Sequence, residues 1–285
     1  MKKIGKAAVT AFLAGLLTAG IMGSPAVSAA DNSGENLVGV SDTAAAPTTE
    51  AGNILPPNIS KPGSSSGSAF TTASNGHKVA IDPGHQGNWI DMSDPEPVAP
   101  GSSETKARAT TGTTGVYSGL NEFELNLQVS LLLKEELIKR GYEVVMTRED
   151  NDANISNMER AQLAANEGAE ILVRIHANGS DDHSVNGALV MVPSPENPYV
   201  GHLYSQCYSL GENILNAYCA GTGFASLGIQ YYDNMSGINW STIPVTILEM
   251  GFMSNESDDL TMADSSFWPV MAEGVANGID SYFAQ

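Results

Sequence analysis

Basic residues are scarce in this sequence. Of its 285 residues, 13 are lysine or arginine and 32 are aspartate or glutamate, so the formal net charge at pH 7 is −19. Such an acidic chain lacks the positive surface that binds the phosphates of nucleic acids and of anionic membranes. We therefore expect neither a nucleic acid nor a membrane surface as a partner.

Cysteine is also scarce, and Cys207 and Cys219 are the two that the chain contains. Both lie in the stretch YVGHLYSQCYSLGENILNAYC, whose pattern predicts one helix. Twelve residues of helix span about 18 Å, whereas the Cα atoms of a disulfide lie within about 7 Å of each other. If the helix is continuous, the two cysteines do not form an intramolecular disulfide.

Long apolar runs without charges are absent after the first residues. The run from Ala7 to Met22 follows three lysines and precedes the small residues 25–30, which is typical of an export signal. The run is short for a membrane-spanning helix and is interrupted by glycines, so a retained anchor is the less favoured alternative. We expect residues 1–30 to be a cleaved signal peptide, and the mature protein to be secreted and soluble.

Residues 31–76 have little apolar content. They consist mostly of Ser, Gly, Ala, Thr, Asn and Pro, with KPGSSSGS as the plainest part. Because too little apolar surface is present to offset the entropy of ordering, this segment is predicted to be a disordered, flexible linker. Residues 77–285 are long enough for one well-packed domain, and they show no internal repeat.

Strand and helix patterns alternate through the remaining chain. A helix is predicted from about Glu122 to Arg140, ended by Gly141, whereas the insert at 86–119 is rich in Pro, Ser, Thr and Gly and is predicted to be irregular. Several strands are continuously apolar, which is typical of strands that are buried on both faces. We predict an α/β fold: a single-domain sheet of mostly parallel strands with helices on both faces. The predicted strands are KVAIDPGH, YEVVMTR, EILVRIHA, GALVMVP, LGIQYYD and PVTILEMGF.

Three of these strands end in a polar residue that could take part in chemistry. AIDPGH ends in His85, VRIH in His176 and VTILE in Glu249. In such sheets the chemistry lies at the carboxyl ends of the strands. A single histidine there is more often a packed or surface residue than a ligand. Two histidines with a carboxylate within reach form the ligand set of catalytic zinc sites.

Two glutamates one residue apart, Glu122 and Glu124, begin the first helix pattern. Asn121 occupies the N-cap position, and the Glu124 side chain can return to the Asn121 backbone N–H in a capping box. Leu120 and Leu125 then occupy the positions of a hydrophobic staple. Glu124 therefore has a structural role at the helix start, whereas Glu122 has no such role and lies about 200° away around the helix.

Five segments of the chain together resemble the zinc-dependent N-acetylmuramoyl-L-alanine amidases, a family of bacterial cell-wall hydrolases. They are VAIDPGHQG, GLNEFELNLQVSLLLKEEL, GYEVVMTRE, ERAQLAANEGAEILVRIHANGS and PVTILEMGFMSNESD. They occur in the family's order and cover essentially all of residues 77–285, which would be the catalytic amidase domain. The resemblance implies that the protein hydrolyses the amide bond between N-acetylmuramic acid and L-alanine in peptidoglycan, outside the cell or in its wall.

The same resemblance implies which residues perform the reaction. His85, Glu122 and His176 would ligate one zinc ion per chain, and Glu249 would be the catalytic acid/base. Two imidazoles and one carboxylate leave the zinc site positive, so it can polarise the amide carbonyl and lower the pKa of a bound water. Glu249 would take a proton from that water and pass it to the departing amine of L-alanine.

Asp82, Asn178 and Arg174 lie close in sequence to these positions. Asp82 and Asn178 can orient the loops that carry the two histidines or can form ordinary turns, and the sequence favours neither role. Arg174 shares a strand face with His176. It can bind a carboxylate of the substrate peptide or pair with an acidic residue of the protein, and the pairing is favoured.

Other features of the sequence have weaker implications. His77, His183 and His202 are interpreted as surface residues, and the aromatic segment QYYDNMSGINW can line a groove or pack in the core. By itself the insert at 86–119 has too little apolar content to become ordered. Because it joins two metal-ligand positions, we predict that it lies near the site, and we hypothesise that it forms part of the substrate rim.

Two other functions are compatible with the same residues. A zinc metallopeptidase that cuts within the peptidoglycan stem peptide could use this ligand set with a glutamate base. A non-catalytic wall-binding protein could keep the fold, but loss of Glu249 or of a ligand would then be expected. No wall-anchoring repeat accompanies the domain. We expect a monomer, which either diffuses freely or is recruited or activated by a partner protein.

Overall fold

The computed structural model describes residues 73–285, so the predicted signal peptide and most of the predicted linker lie outside the described residues. The strands are β1 (Lys78–Pro83), β2 (Pro95–Pro97), β3 (Thr105–Ala107), β4 (Glu143–Met146), β5 (Ile171–Asn178), β6 (Ala188–Val192), β7 (Ser226–Tyr231) and β8 (Val245–Phe252). The helices are α1 (Glu122–Lys139), α2 (Asn157–Asn166), α3 (Tyr204–Thr222), α4 (Ser236–Asn239), α5 (Glu256–Ala263) and α6 (Trp268–Phe283). Within the described range, no helix has the length and apolar character needed to cross a membrane.

Six of the strands form one sheet, in the order β4-β1-β5-β8-β6-β7. Neighbouring strands are parallel except for β6 and β8, which are antiparallel. The prediction of a mostly parallel sheet is therefore confirmed. Because β1, β5 and β8 are parallel neighbours, their carboxyl ends lie at the same edge of the sheet, which is where open α/β sheets bind their ligands.

Helices cover both faces of this sheet, as the predicted fold class requires. Side chains of α1, α3 and α6 form a core with one face, and side chains of α2 and α4 form a second core with the other. In α1 an apolar stripe is buried at Leu125, Val129, Leu133 and Leu137, and Leu132 beside it is partly buried. Burial of this stripe fixes the rotation of α1, and with it the direction in which the first residues of the helix point.

The start of α1 has the capping pattern that the sequence predicts. Asn121 and Glu124 form a capping box, in which the Glu124 carboxylate accepts from the Asn121 backbone N–H at 3.4 Å and from its side-chain amide at 3.0 Å. Leu120 packs against the core that contains Leu125. Gly141, just after the helix, has φ +89°, the left-handed conformation that glycine favours. The structural role predicted for Glu124 is confirmed.

Helix α3 is continuous over its 19 residues and carries both cysteines. Cys207 is buried and Cys219 is partly buried, and both are free thiols. Burial raises the pKa of the Cys207 thiol to about 11, so this thiol stays protonated and unreactive at neutral pH. The predicted continuous helix is confirmed, and its geometry keeps the two sulfur atoms apart.

The insert between β1 and α1 is more regular than its composition predicts. Within it β2 and β3 form an antiparallel hairpin, in which the Val98 N–H donates to the Glu104 carbonyl at 3.0 Å. Trp240 Nε1 donates to the Pro97 carbonyl at 2.7 Å and ties the hairpin to the residue after α4. The prediction of an irregular insert is therefore wrong for residues 95–107, because contacts that are distant in sequence order this part.

Candidate active site

The side chains of His85, Glu122 and His176 meet at the carboxyl edge of the sheet. His85 follows β1, Glu122 is the first residue of α1, and His176 lies near the end of β5. His85 Nε2 is 3.0 Å from Glu122 Oε1 and 3.1 Å from His176 Nδ1, and His176 Nδ1 is 3.2 Å from Glu122 Oε1. The fold thus brings together three side chains from separate parts of the chain.

Contacts with Thr110 fix the ring of His85. The Thr110 carbonyl oxygen lies 2.9 Å from His85 Nδ1 and can only accept a hydrogen bond, so a neutral ring carries its proton on Nδ1. Nε2 then presents a lone pair to Glu122. His85 also has φ +64°, a conformation that a non-glycine residue keeps only when surrounding contacts impose it.

Glu122 is buried, and both of its carboxylate oxygens accept hydrogen bonds. Oε2 accepts from the Thr113 N–H at 2.9 Å, and Oε1 accepts from the Ala177 N–H at 3.1 Å and from Asn126 Nδ2 at 3.2 Å. Burial alone would raise the pKa of Glu122, but the two neighbouring histidines hold it well below its usual range. The carboxylate is therefore ionised and fixed in one orientation before any ligand binds.

These atoms fit a metal ion. If the His85 ring is neutral with its proton on Nδ1, His85 Nε2 and Glu122 Oε1 present lone pairs to each other at 3.0 Å, so a proton or a metal ion between them is needed to remove the repulsion. Burial lowers the pKa of His176 to about 4, so this ring is neutral at neutral pH and can also serve as a ligand. A tetrahedral metal with ligands at about 2.0–2.1 Å separates its ligand atoms by about 3.3 Å, close to the separations found here.

Gly112 closes the cluster on the side of the insert. Its φ is +77°, and a Cβ at this position would lie 2.3 Å from Glu122 Oε2 and 2.7 Å from His85 Cδ2. Only glycine combines this backbone conformation with so close an approach. The insert therefore touches two of the three clustered residues, in agreement with its predicted location near the site.

An ion-pair network centred on Asp82 lies beneath the cluster. Arg160 Nη1 donates to Asp82 Oδ1 and Arg174 Nε donates to Oδ2, each at 2.6 Å, and the Thr147 hydroxyl also donates to Oδ1. Burial alone would raise the pKa of Asp82, but the two guanidinium groups hold it far below its usual range. Asp82 thus pairs with distant residues rather than with a local turn, and the favoured pairing of Arg174 with an acid is confirmed.

Two buried arginines hold the loop that carries His85. Arg148 donates to the carbonyls of Pro83 and Gly84 at 2.8 and 2.9 Å, and Arg160 donates to those of Pro83 and His85 at 2.8 and 2.9 Å. These bonds impose the positive φ of His85. Neither arginine was singled out from the sequence, because a guanidinium that binds distant backbone carbonyls leaves no local motif.

Asp259 of α5 holds the loop that precedes Glu122. Its fully buried carboxylate accepts from the N–H groups of Tyr117 and Ser118 at 2.8 and 2.9 Å, and from Ser118 Oγ at 2.6 Å. The same loop returns to the site, where the Glu122 N–H donates to the Thr113 carbonyl at 3.0 Å. The helix that follows β8 therefore helps to position a side chain carried by α1.

Glu249 lies beside His176 on the neighbouring strand, as its partner in the register of β5 and β8. Its side chain lines the cleft, and its Oε2 is buried without a hydrogen-bond partner in the part of the chain that the structure describes. Burial and the negative charge of Glu122 raise the pKa of Glu249 well above its usual range, although Arg174 opposes the shift. Such a carboxyl group can carry a proton near neutral pH.

A cleft of about 740 Å³ opens over these residues. Residues of the insert between Thr105 and Val116 line one part of the cleft, and residues 234–237 line another. The latter belong to the aromatic segment of the sequence, which therefore lines the cleft in part and packs against the hairpin through Trp240. This volume lies within the range of pockets that bind small molecules and cofactors.

The other polar residues considered from the sequence lie outside the cluster. His77 stacks on the ring of Phe283, His202 is exposed, and His183 is exposed where it lines the cleft. Asn178 accepts from the N–H of the next residue at 2.8 Å through Oδ1, which is a local turn contact. Its Nδ2 is buried without a partner among residues 73–285.

The sheet and its cleft define an α/β protein with a partly buried cluster of two histidines and a glutamate that can hold a metal ion. The sequence model of the N-acetylmuramoyl-L-alanine amidase family matches residues 79–281. This match covers most of the chain, and the chain belongs to that family. The family resemblance identified from the sequence motifs is confirmed.

Individual relatives agree with this assignment. The sporulation-specific N-acetylmuramoyl-L-alanine amidase of Bacillus subtilis strain 168 is 28% identical over 209 residues, which are 72% of this chain and 68% of that protein. The amidase LytC of the same strain is 28% identical over 173 residues, which are 59% of this chain and 32% of LytC. The crystal structure of an N-acetylmuramoyl-L-alanine amidase from Clostridium difficile 630 matches with a TM-score of 0.60 at 26% identity, over 74% of this chain and 99% of that one.

Proposed function

We propose that this protein is a zinc-dependent hydrolase of the amide bond between N-acetylmuramic acid and L-alanine in peptidoglycan. The observation that carries the proposal is the cluster of His85, Glu122 and His176 beside the buried Glu249, in a chain of the amidase family. Residues 1–30 would direct export to the cell wall or the medium, where this substrate lies.

His85 Nε2, Glu122 Oε1 and His176 Nδ1 would hold one zinc ion. Two neutral imidazoles and one carboxylate are a ligand set of catalytic zinc sites and leave one position open. Zinc, when bound, lowers the pKa of a water and polarises the carbonyl oxygen of the amide. The contribution of the chain is to fix the three ligand atoms beforehand, through the hydrogen bonds on His85 Nδ1 and on both oxygens of Glu122.

Glu249 would act as the acid/base. It lies beside His176 in the register, and its unpaired Oε2 can accept a proton from the attacking water. The same carboxyl group can then donate that proton to the departing nitrogen of L-alanine. A raised pKa suits the second step, because the protonated form then persists long enough to reach the leaving group.

Mass spectrometry of digested peptidoglycan tests this function. The zinc-loaded protein is expected to release stem peptides that have a free amino group on L-alanine, together with glycan whose lactyl groups carry a newly freed carboxylate. Cleavage between two amino acids of the stem peptide would instead identify a metallopeptidase that uses the same ligand set. Binding of peptidoglycan without any new amino terminus would identify a non-catalytic wall-binding protein.

The insert would contribute to the substrate rim through its hairpin, because Thr105, Lys106 and Ala107 line the cleft. Replacing residues 95–107 by a short glycine-serine linker should leave zinc content unchanged, since none of the clustered residues lies in this range. It should raise the KM for peptidoglycan fragments. Unchanged KM and unchanged cleavage would exclude the hairpin from the rim.

A further inference from the structure

The cleft continues past the clustered residues along the face of the sheet. On β5 and β8 the side chains of Arg174 and Ile247 are register partners, two residues before His176 and Glu249 and on the same face. Both line the cleft. We call this part the distal arm, and it is lined by Arg174, Asn157, Ser236, Gly237, Met191 and Ile247.

Arg174 is the charged residue of the distal arm, and it is fixed on two sides. Its Nε donates to Asp82 Oδ2 at 2.6 Å, and its Nη2 donates to Asn157 Oδ1 at 2.7 Å. Neither bond uses Nη1. The guanidinium is therefore held in place while part of its donor capacity remains for a ligand, which is the arrangement expected of a recognition group.

Two further donors lie in the same arm. Because Asn157 Oδ1 accepts from Arg174, the side-chain amide of Asn157 presents Nδ2 as a donor. The hydroxyl of Ser236 can donate as well, and both residues line the cleft. Residues of β5, of the start of α2 and of α4 thus supply donors to one pocket, and none of the six lining residues has a carboxylate.

The charge of the arm is positive although the chain as a whole is acidic. Asp82 faces both Arg160 and Arg174, so one carboxylate is shared between two guanidinium groups. The acidic residues that line the cleft are Glu122 and Glu249 at its catalytic end and Asp181, which is exposed. The distal arm therefore suits a negatively charged group of the ligand.

We propose that the distal arm is a carboxylate-binding subsite, in which Arg174 recognises a free carboxylate on the amino acid that follows L-alanine in the stem peptide. This inference rests on the proposed function. Along β5, Arg174 lies about 7 Å before His176, which is the reach of about two extended peptide residues. The α-carboxylate of the second amino acid can then contact the guanidinium while the amide bond before L-alanine lies at the catalytic end.

Gly237 allows the guanidinium to take this position. A Cβ on Gly237 would lie 1.6 Å from Arg174 Nη1. Gly237→Ala therefore has to displace the guanidinium while leaving its charge and its chemistry intact. The variant removes the geometry of the subsite without removing the arginine, which makes it independent of Arg174→Gln as a test.

The test compares two muramoyl tripeptides as substrates of the zinc-loaded protein. In both, the second residue is a γ-linked D-glutamate, and its α-carboxyl group is free in one and a carboxamide in the other. Wild type should show a kcat/KM about 10–100-fold higher for the free carboxylate, the range for a hydrogen bond to a charged group. Arg174→Gln should lower this ratio to about 1, because it raises the KM for the carboxylate substrate and therefore lowers kcat/KM for that substrate more than it lowers kcat/KM for the carboxamide.

Gly237→Ala should lower the ratio as Arg174→Gln does. Arg108→Gln is the matched control, because Arg108 pairs with Glu159 at 3.0 Å and does not line the cleft. It should keep the wild-type ratio. A wild-type ratio near 1, or an equal loss on both substrates in Arg174→Gln, would overturn the proposal, since the second result is what a purely structural role beside Asp82 produces.

Calorimetry with the released tripeptides separates this proposal from the proposed function. The tripeptide with the free carboxylate should bind wild type about 10-fold or more tightly than its carboxamide counterpart, and Arg174→Gln should abolish the difference. If the protein cleaves neither substrate but keeps this preference in binding, the proposed function fails and the subsite stands. If it cleaves both and shows no preference in binding or in kcat/KM, the subsite fails and the function stands.

Discussion

The cleft has two walls, and each contributes one buried glutamate under different constraints. On the wall built from the insert and α1, Glu122 is 3% exposed, and both of its oxygens accept hydrogen bonds. On the wall built from β8, Glu249 is 7% exposed, and its Oε2 has no hydrogen-bond partner in the described chain. The pKa of Glu122 is held well below its usual range, whereas that of Glu249 is raised well above it.

This difference shows that burial alone does not decide what a glutamate does. Both carboxyl groups lose solvent, but Glu122 gains two histidines and several N–H donors that favour its ionised form. Glu249 gains the negative charge of Glu122 and no donor to Oε2, so its pKa is raised and its protonated form is more favoured than that of an exposed glutamate. Under the proposed function, the first wall would hold a cation and the second would exchange a proton.

The largest expected effect comes from removing the proton carrier. Glu249→Gln keeps the shape and burial of the side chain but can no longer exchange a proton, so kcat for muropeptide cleavage should fall by about 10²–10⁴-fold. Glu256→Gln, which changes an exposed glutamate just after β8, is the control and should keep wild-type turnover. Full activity of Glu249→Gln would contradict the proposed difference between the two walls, because Glu249 would then not be needed for proton exchange.

The next largest effect is expected from removing the charge of Glu122 on the other wall. Glu122→Gln should lower zinc affinity by more than about 100-fold, because it removes the negative charge and one of the three proposed ligands. Glu124→Gln, one residue away, should change zinc affinity little, because glutamine also suits the capping box. Competition with a chelator of known affinity measures both. Equal losses from the two substitutions would contradict the separation of ligand and cap.

A smaller effect is expected from changing Asp259, which connects the helix after β8 to the loop before Glu122. Asp259→Asn places an amide opposite three donors of the loop before Glu122 and should lower zinc affinity about 10-fold by loosening that ligand. Asp258→Asn is the matched control, because Asp258 accepts from the N–H groups of Gly187 and Phe252 at 2.7 and 3.0 Å and does not hold that loop.

Both substitutions should lower the melting temperature, since each replaces a buried carboxylate that accepts backbone N–H groups. Zinc affinity is the readout that distinguishes them. Equal zinc affinities for Asp258→Asn and Asp259→Asn would show that the loop before Glu122 positions the ligand without the bonds from α5.

The smallest effect is expected in the pH dependence of stability. The pKa of Asp82 is lower in the folded chain than in the unfolded chain because of Arg160 and Arg174. Its stabilising contribution is therefore present above about pH 4, the unfolded value, and is lost progressively as the pH falls below it. In Asp82→Asn the free energy of unfolding of the metal-free protein should vary less steeply with pH below about 4. Urea unfolding at several pH values measures this dependence. If the free energy of unfolding varies with pH as steeply in Asp82→Asn as in wild type, the prediction is contradicted.

The residues at the carboxyl edge of the sheet were predictable from the sequence, whereas most of those that support them were not. His85, His176 and Glu249 follow apolar runs, and the carboxyl ends of parallel neighbours meet at one edge wherever those strands pair. The capping box of Glu124 was predictable because it depends on residues three positions apart. In each case a local pattern determines the local structure.

The residues that hold the clustered side chains in place do so through contacts between distant parts of the chain. Asp259 binds the N–H of Tyr117, 142 residues away in sequence, and Arg160 binds Asp82, 78 residues away. No spacing rule relates such residues, because the folded sheet brings them together. The hairpin in the insert was missed for the same reason, since Trp240 orders it from outside the insert.

The division of roles between the two glutamates is tested most directly by titrating zinc into metal-free wild type, Glu122→Gln and Glu249→Gln in parallel. Wild type and Glu249→Gln should each bind one zinc ion with affinities that agree within a few-fold, and Glu122→Gln should bind more than about 100-fold more weakly. A loss of zinc in Glu249→Gln as large as in Glu122→Gln would contradict the account, because it would make both glutamates ligands.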